Sequence, residues 1–289
     1  MKNMPRPISK VKKVILILFT LLSLSCFLSA CSNNNAQEDA YTRAKRNNQL
    51  VWGCRPDTRL FGLTNIKTGE IQGFEIDMAK AITKKVLGSK AKCVLRPISE
   101  KTRITLLHNG SLDCVISTMT ITKEREKVID FSKIYFNAGE SMLVKKTSPY
   151  KKITDLNKKG VVVIAIKGTD VPNVIKKYAP KATVKQFDDY GSAFNALKAG
   201  QGDCMIDDNG ILAGLIADDK SYTLTGGTFT SEPYGIGVEK GQTKLRKKIN
   251  QAIGEMRKNG QYDKLVKKWF GSVSGFDVKQ AESTHAVIN

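Results

Sequence analysis

The sequence predicts an α/β fold built from two similar lobes. Short apolar runs alternate with segments of helical periodicity, and one supersecondary unit recurs 90 positions downstream. The 289 residues suffice for about two domains of ordinary size. An apolar share of 41%, beside 26% charged and 7% aromatic residues, supports a buried core. These shares exclude a disordered tail, a collagen-like repeat and a small disulfide scaffold.

The first thirty residues stand apart from the fold. Lys2, Arg6, Lys10, Lys12 and Lys13 precede an apolar run over 14–30, and Cys31 opens the polar stretch Ser32-Asn33-Asn34-Asn35. A charged start, a short apolar stretch and small residues read as a secretory signal. The run is at the short edge of what spans a bilayer, so an uncleaved anchor with an incidental cysteine is the alternative. Either way the remainder lies outside the cytoplasm, tethered to a membrane. Leu28-Ser29-Ala30-Cys31 resembles the lipobox of bacterial lipoproteins, which implies cleavage after residue 30, a lipid on Cys31 and a lipidated linker over 31–44. Losing five basic residues and no acidic ones takes the formal charge from +20 to +15. Anionic lipid headgroups and cell-wall or matrix polymers are the acidic partners expected there. The lysines are spread along the chain without interleaved aromatics, which argues against nucleic acid.

Residues 50–54 read as a strand. Ile76, Ala79, Ile82 and Val86 recur at helical spacing before Gly88. Strands follow at 93–95 and 113–117, with a short helix at 104–108 between them. A second series comprises strands at 161–166, 183–187 and 204–206 and a helix at 192–199. Leu245, Ile249, Ala252, Ile253 and Met256 form a helical stripe, Gly260 breaks it, and Leu265, Val266, Trp269 and Phe270 carry another helix. Residues 272–289 lack periodicity and are expected to form a flexible tail. Cys26 leaves with the signal. Cys54, Cys93, Cys114 and Cys204 lie in or beside apolar runs without zinc-site spacing, so buried thiols and a Cys54–Cys93 bridge both stay open.

Leu107-His108-Asn109-Gly110-Ser111-Leu112-Asp113-Cys114-Val115-Ile116 matches Leu197-Lys198-Ala199-Gly200-Gln201-Gly202-Asp203-Cys204-Met205-Ile206. Each copy is a helix end, a glycine cap, a turn bearing aspartate and a buried strand. Thr118 and Asp208 follow the two strands, at ends where open α/β sheets bind ligands. Facing lobes would bring them together across a cleft. Catalytic candidates are thin. His108 and His285 sit beside no nucleophile motif, no phosphate loop or dinucleotide fingerprint occurs, and no cluster has metal spacing. The expectation is a binder without cofactor or metal.

Ser117-Thr118-Met119-Thr120-Ile121-Thr122-Lys123-Glu124-Arg125 is the strongest segment. Hydroxyls and an arginine at a helix start suit a carboxylate, which a guanidinium grips through both oxygens. The plainer alternative makes Thr122 an N-cap and leaves Arg125 solvated. With Gly73-Phe74-Glu75-Ile76-Asp77, Asp130-Phe131-Ser132, Tyr135, Lys167-Gly168-Thr169, the 200–208 unit, Tyr234-Gly235-Ile236-Gly237-Val238 and Lys268-Trp269-Phe270-Gly271, residues 45–271 resemble the amino-acid-binding proteins of ABC importers, bacterial solute-binding proteins of family 3. The resemblance implies a two-lobed periplasmic-binding-protein-like fold of type II. Two crossing hinge strands, near 139–144 and 230–238, would join lobe 1 (45–138 plus 235–271) to lobe 2 (142–228).

Carried over by position, Arg125 would clamp the ligand α-carboxylate with Thr120 and the N–H of Thr169. Asp208 would pair with the α-ammonium, helped by Thr118. Arg103 and Arg55 resemble residues that reach the distal end of glutamine, glutamate or aspartate, with surface charge as the alternative. Phe74 is a further lining candidate, although Phe74 and Tyr234 suit core or hinge packing better, and Phe61 stands where a ligand-stacking aromatic is otherwise absent. The resemblance implies a monomeric, lipid-anchored receptor on the outer face of the bacterial cytoplasmic membrane. It would capture glutamine or glutamate first, aspartate or asparagine next, and deliver it to ABC permease subunits. A cystine receptor, a small dehydratase on the same fold and a basic surface adhesin are the alternatives.

Overall fold

The computed structural model describes residues 39–284. The expected signal at 1–30, lipidation of Cys31 and residues 285–289 lie outside the described residues. Two five-stranded sheets carry the fold. In the first, β1 (Gln49–Cys54) lies between β5 (Lys92–Pro97) and β6 (Cys114–Ile116), all parallel. β13 (Glu232–Glu239) then runs antiparallel to β6 and to the last strand, β7 (Ile129–Ala138). In the second, β9 (Val162–Ile166) lies parallel between β10 (Thr183–Phe187) and β11 (Cys204–Asp208). β8 (Glu140–Lys145) is antiparallel to β11 and to β12 (Tyr222–Thr225). The two sheets therefore share one plan: three parallel strands followed by two antiparallel pairings.

The repeated segment supplies the third strand of each sheet, and its aspartate explains the repetition. Asp113 donates its N–H to the Val51 carbonyl and accepts the Val51 N–H on its carboxylate, both at 2.9 Å. Asp203 does the same with Val162, both at 2.8 Å. A side-chain rung thus satisfies the edge of a parallel ladder where the main chain has turned away. Ion pairing of Asp113 with Arg43 at 2.6 Å secures the first copy further.

Gly139 alone separates β7 from β8, which belong to different sheets. The return crossing joins β12 to β13, where Glu232 pairs with Ala138. The crossings press together: a Cβ on Gly139 would sit 2.2 Å from the Thr230 carbonyl, and Phe229 donates its N–H to Glu140 O at 3.0 Å. A further small antiparallel sheet, β2 (Asp57–Thr58), β3 (Gly62–Thr64) and β4 (Ile71–Gln72), follows β1.

Two segments differ from the sequence expectation. Helix Ala40–Asn47 occupies part of the expected linker, because Asp39 caps the Thr42 N–H at 2.9 Å and the buried Ala40 and Ala44 face the core. The expected flexible tail is ordered over 272–284. There Phe276 stacks on Phe270 with centroids 4.8 Å apart, and helix Val278–Glu282 buries Gln280 and Ala281. Its aperiodicity reflects short contacts with several elements instead of one helical face. The four cysteines among the described residues are free. Cys93 registers opposite Leu50, and Cys54 opposite Pro97, so neighbouring strands hold the two apart in register.

Candidate ligand-binding cleft

The C-terminal ends of β6, β9 and β11 open onto one polar cavity of about 280 Å³ between the sheets. Glu100, Arg103, Thr118, Thr120, Arg125 and Glu232 line it beside the first sheet. Glu140, Thr169, Asp170, Tyr190, Asp207 and Asp208 line it beside the second. A larger cavity of about 510 Å³ lies between β7 and helix Thr243–Lys258. It is lined mostly by apolar groups, with Arg257 already bonded to the Glu282 and Ile134 carbonyls. It lacks opposed charged poles.

Helix Lys123–Val128 begins where Thr122 accepts the Arg125 N–H at 3.2 Å, so the N-cap reading holds. Arg125 nevertheless lines the cavity, its guanidinium donating to the Thr120 carbonyl at 2.7 Å. Asp208 lies across the cleft and accepts the Tyr234 hydroxyl at 2.5 Å. Burial and the adjacent Asp207 push its pKa well up. The Thr169 N–H donates to the Ile166 carbonyl at 3.3 Å, and its hydroxyl to the same oxygen at 2.8 Å.

Thr118 adopts φ of 46°, a left-handed conformation unusual for a β-branched residue. Glu75 holds it there by accepting the Thr118 N–H at 2.5 Å, and the Tyr135 hydroxyl donates to the same carboxylate oxygen. Glu75 is fully buried, and burial raises its pKa to about 7 against the opposing pull of those two bonds. Its signal in the sequence was an acid among the apolar residues of Gly73-Phe74-Glu75-Ile76-Asp77. Asp77 of that motif instead accepts the Trp269 indole N–H at 2.9 Å and pairs with Lys268 at 2.7 Å, joining two distant motifs structurally.

Arg103 lines the cleft at 4% exposure and donates to the Ser117 carbonyl at 3.2 Å. Burial, then Arg125, lowers its pKa to about 10. Arg55 does not line the cavity: Asp57 at 2.7 Å and Glu100 at 2.5 Å take its guanidinium, so it orients Glu100 instead. Phe74 is also corrected. It is fully buried in an aromatic cluster with Phe61, Tyr135, Phe136, Tyr262 and Phe270. Phe61 belongs to that core too, wedged against Gly210, and Tyr190 is the aromatic lining the cleft. Tyr190 carried no signal, because only tertiary packing turns it inward.

Residues 50–272 match the model of the bacterial extracellular solute-binding proteins, family 3. The chain belongs to this family. Family 3 proteins are extracellular solute-binding proteins, and the chain shares their fold. The ABC transporter glutamine-binding protein GlnH of Bacillus subtilis (strain 168) is 46% identical over 259 residues, covering 88% of this chain and 94% of the relative. The glutamine-binding protein of Geobacillus stearothermophilus is 43% identical over 242 residues, covering 78% and 92%. Among solved structures, an ancestral cationic amino acid solute binding protein matches with TM-score 0.72 and 34% identity, over 80% of this chain and 99% of that one. An ancestral arginine-binding protein bound to glutamine matches with TM-score 0.62 and 38% identity, over 78% and 99%. The two-lobed type II architecture with crossing strands is thereby established for this family 3 member.

Proposed function

We propose that this family 3 protein is the receptor of an amino-acid ABC importer. It would capture glutamine first, with glutamate, aspartate and asparagine as the wider class, and hand it to membrane permease subunits. The observation that carries this reading is the opposition of Arg125 and Asp208 across a polar cavity of about 280 Å³. A zwitterion removed from water requires a cation and N–H donors at one end and an anion at the other. A cavity of this size has room for a free amino acid. Similarity to proteins named for glutamine binding supports the ligand. Thr120 and Thr169 would assist at the carboxylate, Thr118 at the ammonium and Arg103 nearer the distal end.

The lobes would close about Gly139 and the return crossing over 226–231, trapping the ligand. A lipid on Cys31 would keep the receptor at the outer face of the cytoplasmic membrane, beside its permease. The test is calorimetric titration of the full-length protein, freed of ligand by unfolding and refolding, with glutamine, glutamate, asparagine, aspartate and cystine. One-to-one binding of glutamine at about 1 µM or tighter is expected, a free energy near −8 kcal/mol. Silence across the panel from folded protein would overturn the reading.

A further inference from the structure

Carboxylates outnumber cations on the cleft wall. Glu100, Glu140, Asp170, Asp207, Asp208 and Glu232 line it, against Arg103 and Arg125. Two of these acids are built in and incompletely used. Asp207 is the penultimate residue of β11 at 5% exposure, and Glu140 opens β8 at 8%. One Asp207 oxygen accepts the Asp208 N–H at 2.9 Å and the Tyr190 hydroxyl at 3.3 Å. Its other oxygen, Oδ2, is buried without a partner, as is Oε2 of Glu140. Buried carboxylate oxygens normally find donors, and an orphaned one calls for an explanation. Two on residues that line one cavity point to a donor that arrives when the cleft closes on a ligand.

We propose that Glu140 and Asp207 form an acceptor subsite that takes a donor-bearing side-chain head, such as an amide NH2, an ammonium or a guanidinium, and disfavours a carboxylate. The proposal rests on the cleft being an amino-acid site and decides what lies beyond the α-groups. Glutamine brings two N–H donors to these oxygens. Glutamate brings only acceptors and a like charge, and discrimination by an unpaired or repelled group is stronger than discrimination by size. Burial, with Asp207 adding repulsion at Glu140 and Glu100 and Glu232 adding it at Asp207, raises Glu140 to about 7 and Asp207 to about 6. Both carboxylates are thus short of a compensating partner.

Calorimetry on full-length protein freed of ligand tests this with glutamine, glutamate and glutamic acid γ-methyl ester. The α-groups are common to all three, so affinity ratios report the distal end alone. The wild type is expected to prefer glutamine over glutamate by about 100-fold or more. It should also prefer glutamine over the neutral ester, which has no side-chain N–H, by about 10-fold or more. Asp207→Asn and Glu140→Gln should each narrow the glutamine-to-glutamate ratio by about 10-fold. Wild-type affinities for the three ligands within about threefold of each other would overturn the proposal even if neither variant folds. Ratios unchanged in both folded variants would overturn it as well. Loss of all amino-acid binding in folded wild type would instead overturn the receptor reading and this subsite with it.

Discussion

Arg125 hangs from the Thr120 carbonyl, which fixes its fork while leaving other N–H groups for a ligand. Arg125→Ala should weaken glutamine binding by about 100-fold, because the ligand carboxylate would be left unpaired in a closed cleft. Calorimetry reads this directly, and wild-type affinity in the variant would remove Arg125 from the site. Glu75 acts one layer behind. Its carboxyl sits near 7 in the folded protein against an ordinary 4.5, so folding favours its protonated form. The associated stability is complete below pH 4.5 and is lost as pH rises through about 7. Between about pH 5 and pH 8 the wild type should lose about 2 kcal/mol more stability than Glu75→Gln, measured by urea unfolding. Equal slopes would assign the titration elsewhere. As residues that line the cleft, Arg125 and Asp208 were legible because each follows a buried strand among hydroxyls or within a repeat. Glu140, Asp207 and Tyr190 were not, since their roles depend on which strands become neighbours. Arg55 and Phe74 misled for a related reason: residue type and position fit a ligand, but Asp57 and Glu100 claim one and the aromatic core claims the other.

At the scale of elements, the repeated aspartates predict a matched pair of defects. Asp203→Ala deprives the Val162 N–H of its acceptor and should cost about 1–3 kcal/mol in urea unfolding. Asp113→Ala should cost more, because Arg43 loses its partner too. Equal and negligible costs would mean that water replaces the rung. Gly139→Ala should be more damaging than either, since its Cβ meets backbone at 2.2 Å and the crossing strands cannot separate independently. β1, β6, β9 and β11 were readable because they are mostly buried and leave near-continuous apolar runs, whereas the edge strands β5 and β10 are partly exposed and more polar. β7 and β12 were not assigned as strands, and β8 and β13 were expected as hinge strands through the family resemblance alone. In β7, Asp130, Ser132, Lys133 and Asn137 interrupt the apolar pattern although most of the strand is buried. The β2–β4 sheet has strands too short to show any period.

Across the whole described fold, 273–282 fasten both lobes behind the cleft. Gln280 donates to the Asn137 carbonyl of β7 at 3.0 Å and accepts from Asn209, which follows β11, at 2.8 Å. Ser274 O accepts the Leu224 N–H of β12 at 3.1 Å. Ending the chain after residue 272 should therefore cost on the order of 2–5 kcal/mol, with Phe276 lost from its aromatic stack. An unchanged thermal melt would show that the segment adds nothing. The placement of β13 between β6 and β7 has a consequence for the timing of folding. Every strand of the second sheet is synthesised before β13, whereas the first sheet stays split until residues 232–239 emerge. A chain exported with its N-terminus leading would carry an unfinished first lobe for most of its synthesis. Late, long-range closure of that lobe is intrinsically slow, which would leave such a chain threadable for an interval.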